Sequence, residues 1–222
     1  MTEGRSPRGG ARLVRPPRED GPAVRRLRYG APLPASFYRR DTEVVARALL
    51  GALLETHVDG VVTSGRIVET EAYVGEHDAA CHAAAGRTGR TDPLYGAPGI
   101  AYVYFIYGVH WCVNAVTRPA GLPSAVLIRA LEPVDGHEAM RERRPRARRP
   151  EELTNGPGKL CAALGITGAH NRLPLQQPPI VIRRGPPVPD DDVVETTRIG
   201  ISKAADWPLR WYVKSSAYVS RR

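Results

Sequence analysis

Three short segments of the chain carry side chains that could do chemistry. The first, Gly65-Arg66-Ile67-Val68-Glu69-Thr70-Glu71-Ala72-Tyr73-Val74-Gly75, sets two acids and a phenol at alternate positions. In an extended strand, residues two apart share a face, so Glu69, Glu71 and Tyr73 would lie together. That face is either a carboxylate base beside an aromatic wall or a solvent-facing edge with ordinary surface acids. The second, Tyr102-Val103-Tyr104-Phe105-Ile106-Tyr107-Gly108-Val109-His110-Trp111-Cys112-Val113-Asn114, is dense in aromatics. Alternation puts Tyr102 and Tyr104 on one face and leaves Tyr107 at a turn. An aromatic there either wedges between stacked bases or joins a cross-strand cluster. Asn114, if buried, needs partners: it reads a ligand edge or ties down a neighbouring loop. In the third, Ala125-Val126-Leu127-Ile128-Arg129-Ala130-Leu131-Glu132-Pro133, a charge interrupts an apolar run. Arg129 must therefore be paired, either as a structural bridge or to hold a catalytic carboxylate and water.

These residues need elements to position them. Asp41 can cap a helix over 41–50, with Val44, Val45, Ala48 and Leu49 as its apolar stripe and Gly51 as its end. Residues 52–58, Asp59-Gly60 and 61–70 read as a tight β-hairpin. A short helix over 78–84 and a polar loop over 86–98 follow. Residues 100–107, Gly108 and 110–116 form a second, aromatic hairpin, which is expected to protrude. A strand over 124–131, helices over 136–143 and 158–164, and late strands over 180–183, 197–202 and 210–214 complete the pattern. Hairpin-linked strands with interspersed helices predict an α+β fold: one domain over 31–222 with a curved, mainly antiparallel sheet. Residues 1–30, rich in Pro, Gly and Arg without apolar period, are expected to be a disordered basic tail.

Several chemistries are disfavoured. His77, Cys81, His82 and Cys112 could be assembled into a zinc site, but their spacing matches no standard module, and no metal or cofactor is expected. No phosphate-cradling glycine loop occurs. No apolar run approaches a membrane span, and the start lacks the apolar stretch of a signal peptide. Three widely spaced cysteines fit a reducing compartment, so a cytoplasmic protein without membrane contact is expected. The net charge of +9 is concentrated. Residues 1–30 hold eight Arg against three acids, and 141–149 hold six Arg against one. Setting those stretches aside leaves 18 basic and 19 acidic residues, so the charge is either a nucleic-acid footprint or two solvated segments.

Taken together, Gly-Arg-Ile-Val-Glu-Thr-Glu-Ala-Tyr, Tyr-Val-Tyr-x-x-Tyr-Gly, Arg-Ala-Leu-Glu-Pro and Gly-Pro-x-Lys-Leu-Cys resemble, in order and spacing, the alkyladenine (3-methyladenine) DNA glycosylases. The likeness covers about residues 36 to 220. It implies hydrolytic removal of alkylated or deaminated purines that have been flipped out of duplex DNA. Glu71 is implied as the general base, with Arg129 and the Ile199 carbonyl as further water contacts. Tyr73, His82 and Tyr104 are implied as walls around the flipped base, with the His82 N–H donating to it. Asn114 would screen purines by crowding a guanine amino group. Tyr107 would fill the vacated space in the duplex, with Gly108, Lys159 and Gly200 among the DNA contacts. Three lysines, none within the motifs around Glu71, favour a monofunctional enzyme over one using an amine nucleophile. The expected partner is double-stranded DNA bearing a damaged purine, bound by a monomer. The rival reading is a non-catalytic damaged-DNA or RNA-binding module on the same fold. Departures from the family wording fall in loop 86–95, at Gly158 where Ser is common, and at His110 and Trp111.

Overall fold

The computed structural model describes residues 29–222. The tail expected over 1–30 therefore lies, up to residue 28, outside the described residues. Gly30 is already joined to the domain, its N–H donating to the Arg184 carbonyl at 2.8 Å.

Two short helices, α1 (Ala35–Tyr38) and α2 (Thr42–Leu49), precede the sheet. Thr42, Val45, Ala46 and Leu49 are the buried residues of α2, which packs on the long strand described next. Asp41 precedes the helix as expected but does not cap it through its side chain. Its carbonyl accepts from Val45 instead. Gly51 ends the element at φ 88°, and a Cβ there would meet the Pro186 carbonyl oxygen at 2.2 Å. Only glycine fits that turn and that approach.

The expected first hairpin forms from β1 (Leu53–Val58) and β2 (Val61–Tyr73). Asp59 (φ 53°) and Gly60 (φ 75°) turn it with two left-handed residues, as the strand twist requires. The second is β3 (Ala101–Ile106) with β4 (His110–Val116), turned by Tyr107 (φ 54°) and Gly108 (φ 67°). Next come β5 (Ala125–Asp135), α3 (His137–Arg143) and α4 (Pro157–Leu164). The chain finishes with β6 (Gln176–Gln177), β7 (Ile180–Arg183), β8 (Val193–Thr196) and β9 (Arg210–Val213). All pairings are antiparallel among the described residues, in the order β3-β4-β5-β2-β1-β7-β6. The sheet curls into a half-barrel, and the fold is the expected α+β class. β2 is its spine. One edge pairs with β5 along nearly its whole length. The other takes β1 first and then β9. The core lies between this sheet and the helices, with α4 burying Leu160, Cys161, Ala163 and Leu164 against β4 and β5.

Two expected elements are corrected. The strand over 197–202 does not form; the strand is β8, and 197–202 is a loop. Arg198 turns inward to a buried acid and Gly200 takes φ 75°, so the extended run breaks. The helix over 78–84 is a turn followed by a short 3-10 helix, His82–Ala85. Asp78 there accepts from the N–H groups of Val74 and Ala80, holding a turn in competition with a helix. The polar loop 86–98 contains a further 3-10 turn, Asp92–Tyr95. All three cysteines are free and buried. No helix among the described residues is long and apolar enough to cross a membrane.

Candidate active site

Glu69 and Glu71 sit where β2 is paired on both sides, and both are fully buried. The solvent-facing reading of this strand is overturned. The β2–β5 register slips around them. Glu69 faces Ala130 while Thr70 faces Ile128, which leaves Arg129 as the extra residue of a bulge. A bulge re-aims a side chain, and here it turns a guanidinium toward two carboxylates. Arg129 Nε donates to Glu69 Oε1 at 3.2 Å and Nη1 to Glu71 Oε2 at 3.0 Å. Burial works against its charge, yet Glu71 and Glu69 outweigh burial and hold Arg129 above the ordinary arginine range.

Glu71 has two more donors. The Tyr73 hydroxyl reaches Oε2 at 2.9 Å, and the Ile199 N–H reaches Oε1 at 2.7 Å. The backbone contact seen at Ile199 is thus its N–H. A carboxylate offers about four acceptor positions, so one on Oε1 is left over. Burial, reinforced by the Glu71 carboxylate, pushes Tyr73 well above the usual phenol range, which keeps it a donor.

Tyr73, Arg129 and Ile199 all line a cavity of about 620 Å³. Its other walls come from separate elements. His82 and Tyr104 stand at 4.6 Å between centroids, nearly edge to face at 71°. Tyr102 braces both, with its ring 5.3 Å from Tyr104 and its hydroxyl 2.9 Å from His82 Nδ1. Burial, and then the nearby Arg90, lowers the His82 pKa and favours a neutral ring. Asn114 is buried and lines the cavity while its Nδ2 donates to the Tyr102 carbonyl at 3.0 Å. The amide is therefore tied to the neighbouring strand rather than to a loop.

At the mouth, Tyr107 is 80 % exposed, and Gly108 beside it has open space around its α-carbon. Lys159, in the first turn of α4, lines the cavity with its Nζ on Asn155 Oδ1 at 2.8 Å. Gly200 lines it as well. The expected site residues thus converge on one cleft, except that Glu71 lies behind its wall and Gly108 beside its rim.

Two departures from the family wording turn out to be one packing solution. A Cβ at Gly158 would come within 2.9 Å of the His110 ring. Glycine there lets α4 close on that histidine. The divergent loop 86–95 contributes Leu94 to the cavity and sets Arg90 5.5 Å from the Tyr104 ring centroid.

The sequence reading missed what braces the site. Arg198 and Asp78 form a wholly buried pair, Nη2 to Oδ1 at 2.9 Å, and Arg198 also holds the Ala72 carbonyl. Its guanidinium lies 4.8 Å from the Tyr73 ring centroid. Arg210 and Ser220 anchor Glu69 from more than 140 residues away, a separation that no local pattern records. Among the described residues no cluster of three or more His, Cys, Asp or Glu side chains is placed to hold a metal ion. Of the suggested zinc set, His82 is bonded to Tyr102 and His77 faces Trp207 at 6.3 Å.

A family model described as Methylpurine-DNA glycosylase (MPG) matches residues 36–217. The chain belongs to the methylpurine-DNA glycosylase family. A protein of Myxococcus xanthus is 50 % identical over 192 residues, covering 85 % of this chain and 93 % of that one. One of Methanoculleus marisnigri is 51 % identical over 193 residues, covering 86 % and 99 %. One of Salinibacter ruber is 48 % identical over 200 residues, covering 85 % and 96 %. Each of the three is provisionally named a 3-methyladenine DNA glycosylase. Within this glycosylase, the β2 motif, the β3–β4 hairpin, the Arg129 strand and the start of α4 all fall inside the matched span.

Proposed function

We propose that this DNA glycosylase hydrolyses the N-glycosidic bond of an alkylated or deaminated purine, such as 3-methyladenine, extruded from duplex DNA. Glu71 acts as general base. Its carboxylate carries the reading: three donors fix it one hydrogen bond behind an aromatic cavity, with one acceptor position unfilled. A water entering between Tyr73, Arg129 and Ile199 would meet that position, and Glu71 would take its proton as positive charge develops on the sugar. Tyr73, His82 and Tyr104 receive the base, where each stack is worth about 1–3 kcal/mol. A cationic methylated purine gains further from the ring faces. Asn114 crowds a purine carrying an extra amino group. Tyr107 occupies the gap left in the duplex, with Gly108, Gly200 and Lys159 against the backbone, the last near the positive end of α4. The product is an abasic site, left uncut because no lysine lies among the residues that meet Glu71. The enzyme acts as a cytoplasmic monomer and uses no cofactor.

The test is base release from methylated duplex DNA by wild type and by Glu71→Gln. The expected result is release by wild type alone, with no adduct trapped by borohydride. Equal release by both removes Glu71 from its role. Release by neither favours a damage-binding module.

A further inference from the structure

Glu69 is fully buried and is not among the residues lining the cleft, yet four donors converge on it. Arg129 Nε at 3.2 Å, Arg210 Nε at 2.8 Å and Ser220 Oγ at 2.9 Å reach Oε1. The Ser220 N–H reaches Oε2 at 2.7 Å. Arg210 is in turn held by the Arg221 carbonyl and lies 4.8 Å from the Tyr212 ring centroid. Two carboxylates and two guanidiniums share one buried cluster in which the charges balance.

The balance matters for Glu71. A guanidinium facing a single carboxylate tends to close a two-pronged fork onto both of its oxygens. That grip would consume the Oε1 position beside Ile199. Here Glu69 anchors Arg129 through Nε, which fixes how the guanidinium is turned, and the contact it makes to Glu71 is Nη1 to Oε2 alone. We propose that Glu69 is a positioning residue of the hydrolytic step: it restrains Arg129 to a single-point contact and so keeps one oxygen of Glu71 open to water. The bulge that exposes Arg129 to both acids is the backbone device that makes this division possible.

The inference rests on Glu71 being the base, and the experiment separates the two. Single-turnover base release is measured for wild type, Glu71→Gln, Glu69→Gln and Glu69→Asp, together with affinity for a duplex bearing a reduced abasic site. Glu69→Gln should lower the release rate about 100-fold, the scale of a misplaced reacting group. Abasic-site affinity should stay within about threefold, because Glu69 touches no DNA-facing surface. Glu69→Asp keeps the charge but retracts it by one methylene. It should lose about tenfold with an intact melting transition, which keeps the test open if the glutamine variant fails to fold. In an Arg129→Lys background, where the rigid fork that the two acids divide is gone, Glu69→Gln should add less than about threefold. Glu69 variants that release base at the wild-type rate while Glu71→Gln does not would overturn the inference alone. An equal loss with and without Arg129 would also overturn it. Release by Glu71→Gln at the wild-type rate would overturn the underlying reading.

Discussion

Tyr73 contributes through two different parts of its side chain. Its ring lines the cavity, and its hydroxyl donates to Glu71 Oε2. Since burial and the adjoining carboxylate raise its proton affinity, the hydroxyl remains a donor throughout the neutral range. Tyr73→Phe keeps the ring and deletes the donor. A hydrogen bond to a charged group is worth about 1.5–3 kcal/mol, and part of that holds Glu71 in place. The variant should therefore release base at least about tenfold more slowly in single turnover, with unchanged affinity for lesion duplex. Tyr73→Ala should lose rate and affinity together. A phenylalanine variant as fast as wild type would show that the hydroxyl plays no part. Tyr107 is the opposite case, since it is 80 % exposed at a turn whose backbone is set by Gly108 as well. Tyr107→Ala should leave thermal stability within about 0.5 kcal/mol, as surface substitutions do. It should still slow base release, because the extruded nucleotide would fall back more readily. Melting curves beside single-turnover rates check both halves.

The loop 197–204 and the turn 74–82 face each other across the end of β2, and the Arg198–Asp78 pair fastens them. The same loop supplies the Ile199 N–H to Glu71, while the turn leads into His82. Asp78→Asn leaves a buried guanidinium without its counter-charge, a loss of about 3–5 kcal/mol. In a domain of this size the melting temperature should fall by roughly 10 °C. The pH dependence has a definite sign. Burial alone would raise the Asp78 pKa, but Arg198 and the backbone donors outweigh it and hold the carboxyl below its ordinary range. Its stabilisation is therefore complete above the unfolded value near 4 and drains away as pH falls through the lower folded value. The gap between wild type and Asp78→Asn should be wide at pH 7 and shrink progressively as pH falls below about 4. A gap that widens in acid would contradict the assignment. This element also marks the limit of what the chain discloses locally. The hairpins were legible because Asp59-Gly60 and Tyr107-Gly108 are turn signals between alternating strands. Tyr73, Tyr102, Tyr104, Asn114 and Arg129 were legible through dense motifs on β2, β3, β4 and β5, whereas His82, Lys159, Ile199 and Gly200 came only with the family resemblance. Loop 197–202 read as a strand because Ile199 and Ile201 alternate, and nothing nearby announces that Arg198 will pair with Asp78. The acid pair was visible at 69 and 71, but its burial was not, since β9 covers it from far along the chain.

Along the whole chain the positive charge is concentrated in two Arg-rich stretches, one of which, 141–149, brings Arg144 to the cleft wall. Outside residues 1–30 and 141–149 the chain carries 18 basic and 19 acidic residues, so that remainder offers little general attraction for a polyanion. Several of its arginines are already committed: Arg129 and Arg210 to Glu69, Arg198 to Asp78, Arg183 to Glu55. Sequence-independent affinity must then come largely from the two Arg-rich stretches, through release of counterions from the phosphates. Each phosphate neutralised contributes about 0.9 to the slope of log affinity against log salt. Removing residues 1–28 takes away eight Arg and three acids. The truncated protein should bind undamaged duplex more weakly at low salt, with a slope smaller by at least about 2. Its single-turnover release rate at saturating enzyme should not change, because the groups that hold Glu71 belong to β2, β5 and the 197–202 loop. Binding titrations at several salt concentrations, run beside release assays, separate the two quantities. Equal slopes would move the electrostatic footprint to 141–149, and a lost release rate would mean that the basic segment enters the reaction itself.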